Sequence, residues 1–324
     1  MNKKLLAILD QFSKKSILVI GDLMLDKYLW GDVTRISPEA PVQVVNVVKE
    51  TFAPGGASNV ATNVSALSGK VFMAGISGND DARKILLNEL GKRNINTDGI
   101  LIDPDKPTTQ KIRIMGKGQQ LLRVDYENKT HLHDDIELSI MKFFDSIFSK
   151  VDVIVISDYS KGVITEKVSQ KLIELSSRFN KPLIVDPKPG HKKLYRGATL
   201  ITPNNSEASE MTEIEDGSDD SIISMGKMLM EDLDTNVLIT RGEKGMSLFE
   251  KNSSITHIPA NAREVYSIIG AGDTVVATLA LSLACKADLK DAALLANIAA
   301  GIKVGKIGTA SVSIDEIKNE LSKS

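Results

Sequence analysis

Cysteine is almost absent from this sequence of 324 residues, since Cys285 is the only one. A chain with one cysteine cannot form an internal disulfide, which favours a reducing compartment. No apolar run approaches the roughly 20 residues that a membrane-spanning helix requires, and residues 1–15 lack the apolar core of a signal peptide. These absences predict a cytoplasmic protein without a membrane partner.

An excess of positive charge is also missing. Lysine and arginine together number 40, and aspartate and glutamate number 42, so the net charge is −2. A nucleic-acid-binding surface usually shows as a basic surplus. A Walker A loop is absent as well, because none of the Gly-Lys pairs is followed by Ser or Thr. We therefore expect no nucleic-acid partner and no Walker-type nucleotide site.

The sequence does contain a regular alternation of short apolar runs with helical patterns. Predicted strands occupy residues 17–20, 71–75, 151–157, 183–186, 199–202 and 236–240. Predicted helices occupy residues 57–67, 81–93, 165–178, 218–231, 271–285 and 289–304. Such alternation is typical of an α/β fold with a mostly parallel sheet and helices on both faces. Active sites in these folds lie at the carboxyl ends of the strands.

Two segments, at about residues 29–48 and 100–125, interrupt this alternation. They are richer in β-forming residues and carry period-two patterns, for example Ile112 and Ile114. A small lid of strands over the active site is the favoured assignment, and an edge hairpin without a role is the alternative. No internal repeat or low-complexity linker divides the chain, so residues 1–324 are expected to form one domain.

The strongest motif is Gly270-Ala271-Gly272-Asp273, at the start of a long apolar helix. Glycines allow a backbone to approach a ligand closely, and the free N–H groups of a first helical turn favour negative charge. A carboxylate in that turn would reach a hydroxyl beside a bound phosphate. The alternative is an ordinary capped helix after a tight turn.

Two further polar clusters lie where a predicted helix begins or a strand ends. Gly55 and Gly56 precede a helix, and the amide of the nearby Asn59 can both donate and accept. Asn204 and Glu207 follow a strand and offer oxygen atoms that suit Mg²⁺, acting through its waters. The alternatives are a glycine turn with a cap for the first cluster and a capping box for the second.

A glycine-rich turn follows the strand predicted at residues 236–240. Its Thr240, Gly242 and Gly245 would wrap nucleotide phosphates through backbone N–H groups. One turn of this kind is a weak indication when it is taken alone.

In this order, the motifs resemble those of the ribokinase-like, or pfkB, carbohydrate kinases over residues 21 to about 313. Gly55-Gly56 with Asn59 resembles the first signature of the family, and residues 270–273 resemble the second. The resemblance implies a ribokinase-like α/β fold with a lid of strands. It also implies ATP and Mg²⁺ as cofactors and Asp273 as the base that activates a sugar hydroxyl.

The resemblance implies roles for further positions. The backbone N–H groups of Gly270, Ala271 and Gly272 would stabilise charge on the transferred phosphoryl group. Asn204 and Glu207 match the magnesium motif of the family. The sugar contacts would be Asp22, Gly55, Gly56 and Asn59. The ATP contacts would be Lys188, Asn204, Thr240, Gly242, Gly245 and Asn297.

Five segments resemble one branch of the family, the D-glycero-β-D-manno-heptose-7-phosphate kinases. They are residues 35–42, 119–125, 157–162, 185–188 and 304–310. That branch makes the 1,7-bisphosphate on the way to ADP-heptose for lipopolysaccharide, and Lys161 and Arg123 would bind the sugar phosphate. A kinase of ribose, fructose or a nucleoside is one alternative, and a catalytically silent sugar-binding module is the other.

Many members of this branch are fused to a nucleotidyltransferase that carries a His-x-Gly-His motif. The present sequence has no such motif, so we expect a stand-alone kinase or an isolated kinase half. Lid strands in the family often pair between two subunits, so the resemblance also implies a homodimer.

The sequence departs from the family pattern just before the Gly-Ala-Gly-Asp motif. An Asp and a Ser or Thr are usual there, and the residues here are Ser267 and Ile269. The aspartate normally helps to hold a monovalent cation, and a serine offers no charge to such a cation. We therefore predict weak activation by K⁺, measured as turnover in K⁺ relative to turnover in tetramethylammonium. Several-fold activation would show that backbone carbonyls suffice and would contradict the prediction.

Overall fold

The computed structural model of the chain describes residues 2–128, 130, 132–252, 254–261, 265–306 and 310–323. Within these ranges the chain forms thirteen strands: β1 (Ser16–Gly21), β2 (Leu23–Ile36), β3 (Gln43–Gly56), β4 (Lys70–Ser77), β5 (Asn96–Ile102), β6 (Gln110–Gly116), β7 (Gln119–Tyr126), β8 (Val153–Ser157), β9 (Leu183–Asp186), β10 (Leu200–Ile201), β11 (Asn236–Thr240), β12 (Met246–Phe249) and β13 (Ile255–Ile258). The same ranges hold ten α-helices: α1 (Asn2–Leu9), α2 (Ala57–Ala66), α3 (Asp81–Gly91), α4 (Asp134–Ile147), α5 (Glu166–Phe179), α6 (Asn205–Thr212), α7 (Asp219–Leu233), α8 (Ala271–Ala284), α9 (Leu289–Val304) and α10 (Ile314–Lys323). Among these described helices, none has the length and apolar content that a membrane crossing requires.

Nine of the strands form the main sheet, in the order β13-β12-β11-β10-β9-β8-β1-β4-β5. The strands from β11 to β5 run parallel to one another, and β12 and β13 are antiparallel additions at one edge. Long connections that carry helices are what parallel strands require. The predicted α/β fold, with a mostly parallel sheet and flanking helices, is confirmed.

The residues of each central strand alternate between two apolar cores. In β1, Ile17 and Val19 belong to one core, and Leu18 and Ile20 belong to the other. Helices α1, α2, α3, α8, α9 and α10 cover the first core, and α4, α5, α6 and α7 cover the second. Both faces of the sheet are therefore buried, which explains why its strands read as continuous apolar runs in the sequence.

The other four strands form a second sheet, in the order β3-β2-β6-β7. The predicted lid segment at residues 29–48 falls largely within β2 and β3, which pair antiparallel. The segment predicted at residues 100–125 begins too early, because residues 100–102 belong to β5 and pair with β4 in the main sheet. Ile100 is buried in the first core, so its apolar character reflects the main sheet and not a lid.

The chain order reverses where β1 lies between β8 and β4. Ligands of open α/β sheets bind at such a point, beyond the carboxyl ends of the strands. Gly21 ends β1 opposite Ser157 of β8, and a Cβ atom at position 21 would collide with the Ser157 carbonyl. This close approach places Asp22 directly beyond the sheet, beside the segment that follows β8.

Candidate active site

The site is built around the first turn of α8. Gly270 precedes the helix with a φ of 75°, in the left-handed region that favours glycine. The hydroxyl of Thr274 donates to the Gly270 carbonyl at 2.9 Å, which fixes the turn. The N–H of Ala271 is engaged within the turn, since it donates to the Ile268 carbonyl at 3.2 Å. The helix N-terminus as a whole still favours an anion in front of it.

Asp273 lies in this first turn with 9% of its surface exposed. Its Oδ2 accepts a hydrogen bond of 2.5 Å from Nδ2 of Asn59 on α2, and its Oδ1 accepts one of 3.2 Å from the hydroxyl of Tyr159. Burial raises the pKa of Asp273, and the bonds from Asn59 and Tyr159 oppose that rise by stabilising the charged form. A carboxylate held in this way can accept a proton from a hydroxyl in the same cleft.

Asp273 faces a half-open cleft of about 620 Å³, a volume that includes solvent at its mouth. The predicted site residues that line this cleft are Lys188, Asn204, Glu207, Thr240, Gly270, Gly272 and Asp273. Its wall also includes Tyr159, Asp186, Thr202 and Val275. The fold therefore brings the predicted base, the glycine loop and the Asn204–Glu207 motif around one polar cavity.

Two carboxylates and one lysine meet on the wall of the cleft opposite α8. Asp186 ends β9, Lys188 follows it closely, and Glu207 on α6 forms an ion pair with Lys188. Burial raises the pKa of Asp186 well above its ordinary value, and the charges of Asp273 and Glu207 add to the rise. Burial lowers the pKa of Lys188, but its bond to Glu207 and the nearby carboxylates leave that pKa raised overall.

Asn204 and Glu207 form the capping box that begins α6. The Asn204 side chain accepts from the Glu207 N–H at 2.9 Å, and Glu207 Oε2 accepts from the Asn204 N–H at 3.0 Å. The capping role does not exclude a metal role, because Glu207 and Asp186 also present carboxylate oxygens to the cleft. Hard oxygen ligands suit Mg²⁺, and a cation there would relieve the like-charge repulsion that raises the pKa of Asp186.

The residues predicted to hold the remainder of ATP come from two parts of the chain, the segment at the end of β11 and helix α9. Thr240 ends β11 and lines the cleft, and Gly242 begins a short 3₁₀ turn beside it. Gly245 closes this turn by donating its N–H to the Gly242 carbonyl at 3.0 Å. Asn297 lies on α9, where it is buried and its amide donates to the Pro259 carbonyl at 2.9 Å. Pro259 in turn packs closely against Gly245.

The carboxylate of Asp22 is held by backbone groups of the segment after β8. It accepts from the N–H groups of Tyr159, Lys161 and Val163 at 2.8, 3.1 and 3.2 Å. Burial and the charge of Asp158 raise the pKa of Asp22, and the three hydrogen bonds oppose the rise. Asp22 thereby fixes the segment that carries Tyr159 to the base and Lys161 to a neighbouring cavity.

A second, smaller cavity lies next to Asp22. Lys161 and Lys106 both line it, together with Asn128. Lys161 forms an ion pair of 2.5 Å with Glu127, and its side chain is 14% exposed. Burial lowers the pKa of Lys106, which is mostly enclosed by the protein. Two cations therefore line one cavity, together with Asp22.

Three predicted sugar-binding residues lie on the second sheet. A Cβ atom on Gly55 would lie 2.6 Å from Oδ2 of Asp26, and Gly56 has a φ of 56° at the start of α2. The left-handed backbone therefore favours glycine at position 56, whereas a side chain at position 55 would displace the Asp26 carboxylate. Arg123 on β7 pairs with Asp125 at 2.9 Å, has half of its side chain exposed and does not line either cavity described above.

Three residues of the site are missing from the sequence-based prediction: Tyr159, Asp186 and Lys106. Asp186 ends β9, and Tyr159 lies two residues after β8. Their position at the carboxyl ends of strands was the available signal for both. Lys106 carries no such signal, because it lies in a loop between the two sheets. In the predicted segment 304–310, residues 307–309 lie outside the described residues.

Comparison with known proteins connects this geometry to one family. The description "pfkB family carbohydrate kinase" matches residues 14–316 of the chain. A protein of Geobacter sulfurreducens named "Bifunctional protein HldE" is 44% identical over 305 residues, which is 94% of this chain and 62% of that protein. The chain thus spans less than two thirds of the length of this relative.

Solved structures show the same fold at low sequence identity. Phosphofructokinase-2 from Escherichia coli, in complex with potassium, has a TM-score of 0.78 at 20% identity, covering 95% of this chain and 98% of that one. Ribokinase from Thermotoga maritima has a TM-score of 0.73 at 21% identity, covering 96% of this chain and all of that one. The two sheets and their helices therefore form the predicted ribokinase-like fold.

Glu207→Gln tests whether Glu207 helps to hold Mg²⁺. Glutamine can still accept from the Asn204 N–H and keep the capping box, so the variant should fold, with a lower unfolding temperature because the ion pair with Lys188 is lost. A neutral amide is a poorer ligand for a hard cation or its waters, so the Mg²⁺ concentration for half-maximal activity should rise. An unchanged Mg²⁺ titration would leave Glu207 with the capping role alone.

Proposed function

The chain belongs to the pfkB family of carbohydrate kinases, and from that membership we propose that it transfers the γ-phosphoryl group of ATP to the anomeric hydroxyl of D-glycero-β-D-manno-heptose 7-phosphate. The observation that carries the chemistry is the buried carboxylate of Asp273, at a helix start and at the edge of a polar cleft. The product is the 1,7-bisphosphate on the way to ADP-heptose and lipopolysaccharide.

Asp273 acts as the general base. A sugar hydroxyl within ~2.6–3.2 Å of its carboxylate would lose its proton to Asp273 as the hydroxyl oxygen attacks phosphorus. The hydrogen bonds from Asn59 and Tyr159 hold the carboxylate in one orientation. Phosphoryl transfer requires mainly positioning and charge stabilisation from a protein, and these groups are in place before a substrate binds.

The phosphate groups of ATP lie between the first turn of α8 and Lys188 in this proposal. Mg²⁺, when bound, neutralises charge on the phosphates, and Glu207, Asp186 and Asn204 are the residues that would hold it. Lys188 stays protonated because its pKa is raised, so it can bind phosphate oxygens. In the turn from Thr240 to Gly245, the N–H groups of Thr240, Arg241, Lys244 and Gly245 already donate to carbonyls, so Gly242 and Glu243 are the residues whose N–H groups would contact the phosphates. Asn297 would act near the adenine indirectly, by holding the Pro259 carbonyl in place.

The second cavity supports a phosphorylated sugar as the substrate. A phosphate monoester carries nearly two negative charges near neutral pH, so its binding requires cations away from the base. Lys161 and Lys106 supply two, and they border the second cavity beside Asp22. A phosphate would compete with Glu127 for the Lys161 ammonium. Arg123 would add a bidentate contact only if the second sheet moved towards the sugar.

The second sheet also supports the proposal of a homodimer. β7 is an edge strand that is exposed along its whole length. Its Leu122, Val124 and Tyr126 alternate along the strand, so three apolar side chains share one exposed face. Exposed apolar patches and free strand edges are typical of surfaces that bind another chain.

The cellular setting follows from the proposed reaction. ATP as donor and a single, partly buried cysteine support action in the cytoplasm. The nucleotidyl transfer that converts the product to ADP-heptose is a separate reaction, and we do not assign it to these residues.

Asp273→Asn tests the assignment of the base. Asparagine keeps the size of the side chain and can still accept from Asn59, so the fold and ATP binding should be retained. Removal of the base should lower kcat by ~10²–10⁴. Asp81→Asn, at the exposed first turn of α3, is the matched control and should behave as the wild type. A kcat near the wild-type value for Asp273→Asn would refute the assignment.

Lys161→Ala tests the substrate. Loss of a charge-assisted bond to phosphate should cost about 1.5–3 kcal/mol, roughly a 10- to 100-fold rise in KM for heptose 7-phosphate. KM for ATP should change little, and the control Lys167→Ala, at an exposed lysine of α5, should change neither. The wild type should turn over the dephosphorylated heptose poorly. Equal turnover of heptose and heptose 7-phosphate would favour a free-sugar kinase instead.

A further inference from the structure

A lysine is buried beside the first turn of α8, where the proposed function places the ATP phosphates. Lys303 lies near the end of α9 with 2% of its surface exposed and is among the largest fully buried side chains. Its ammonium donates a hydrogen bond of 2.9 Å to the Ala310 carbonyl. Burial of a charged amine is costly. The position of this ammonium is therefore a specific feature of the fold.

The Lys303 side chain lies at the start of α8, next to Gly270. A Cβ atom on Gly270 would lie 2.9 Å from Nδ2 of Asn59, 3.5 Å from Cε of Lys303 and 3.8 Å from Oδ2 of Asp273. The lysine, the base and the amide that holds the base therefore surround one glycine. The preceding segment is tied to α9 as well, because the N–H of Ser267 donates to the Val304 carbonyl at 3.1 Å.

The charges of Lys303 and Asp273 act on each other. Burial and the charge of Lys306 lower the pKa of Lys303, and Asp273 opposes them. In return, Lys303 opposes the rise in the pKa of Asp273 that burial causes. Among the described residues, the other charged or titratable groups around Asp273 are Tyr159 after β8, Asp26 on β2, Asp186 on β9, Lys188 after it and Glu207 on α6. Asp26 raises the pKa of Asp273, so it acts against Lys303.

We propose that Lys303 is a positioning residue whose buried ammonium supplies a fixed positive charge to Asp273 and to the first turn of α8. This charge takes the place of a bound monovalent cation. The inference rests on the proposed role of Asp273 as the base. A charge that is fixed by the fold needs no reorganisation when negative charge develops nearby. It also gives a physical reason for the expected weak response to K⁺, since the protein carries its own cation beside Ser267.

Lys303→Met removes the charge and keeps an unbranched apolar stem of similar length. We expect kcat to fall roughly tenfold or more, which is less than the ~10²–10³ of a direct oxyanion donor. KM for ATP should change little. The acid limb of the kcat–pH profile should move to higher pH, because Asp273 loses a neighbouring positive charge. K⁺ or NH₄⁺ should restore part of the lost kcat in the variant and should have little effect on the wild type.

Lys318→Met is the matched control. Lys318 lies on α10, where it pairs with the exposed Asp10, and it is not among the charges that act on Lys303 or Asp273, so its loss should leave kcat, the pH profile and the response to K⁺ unchanged. Lys303→Gln is a second test if Lys303→Met does not fold, because glutamine can still donate to the Ala310 carbonyl without carrying a charge. It should reproduce the shift of the acid limb and the rescue by cations.

A measurement without substrate separates this inference from the proposed function. The pKa of the Asp273 carboxyl, followed by ¹³C NMR and assigned by comparison with Asp273→Asn, should rise in Lys303→Met and not in Lys318→Met. An unchanged Asp273 pKa in the folded variant would overturn the inference, as would a loss of kcat with neither a pH shift nor rescue by cations. Absence of sugar kinase activity in the wild type would instead overturn the proposed function.

Discussion

The site depends on keeping one carboxylate charged where little water reaches it. Burial alone would favour the neutral form of Asp273, which could not act as a base. Asn59, Tyr159 and Lys303 oppose that tendency, and they come from α2, from the segment after β8 and from α9. The packing of these three parts of the chain around the start of α8 therefore sets the ionisation of Asp273 as well as its position.

The same constraint explains the rest of the cleft. Asp186, Glu207 and Asp273 place several negative charges around a cavity in which Lys188 is the nearby counter-charge. Burial and the charges of Asp273 and Glu207 raise the pKa of Asp186. A nucleotide that arrives with Mg²⁺ would relieve the like-charge repulsion among these carboxylates, and Asp22 holds the adjoining segment in place through three backbone N–H groups. The groups that would bind the nucleotide and the carboxylate of Asp273 therefore belong to one cleft.

Much of the fold could be predicted, because parallel strands such as β8 and β9 are buried on both faces and read as apolar runs. The glycine motif before Asp273 could also be predicted, because a helix start is a local feature. The partners of Asp273 could not, since Asn59 and Tyr159 lie 214 and 114 residues away in the sequence. Lys303 gave no signal either, because a lysine near the end of a helix is common. Ile100 was assigned to the wrong sheet because its β-forming character fits both.

The central claim is that Asp273 directs phosphoryl transfer to the anomeric hydroxyl of a sugar that already carries a phosphate. The most direct measurement is ³¹P NMR of the product formed by the purified protein with ATP, Mg²⁺ and D-glycero-β-D-manno-heptose 7-phosphate. The account predicts a second phosphate resonance coupled to the anomeric proton, with the 7-phosphate resonance retained. Formation of ADP with no new sugar phosphate, or a new phosphate on another carbon, would contradict it.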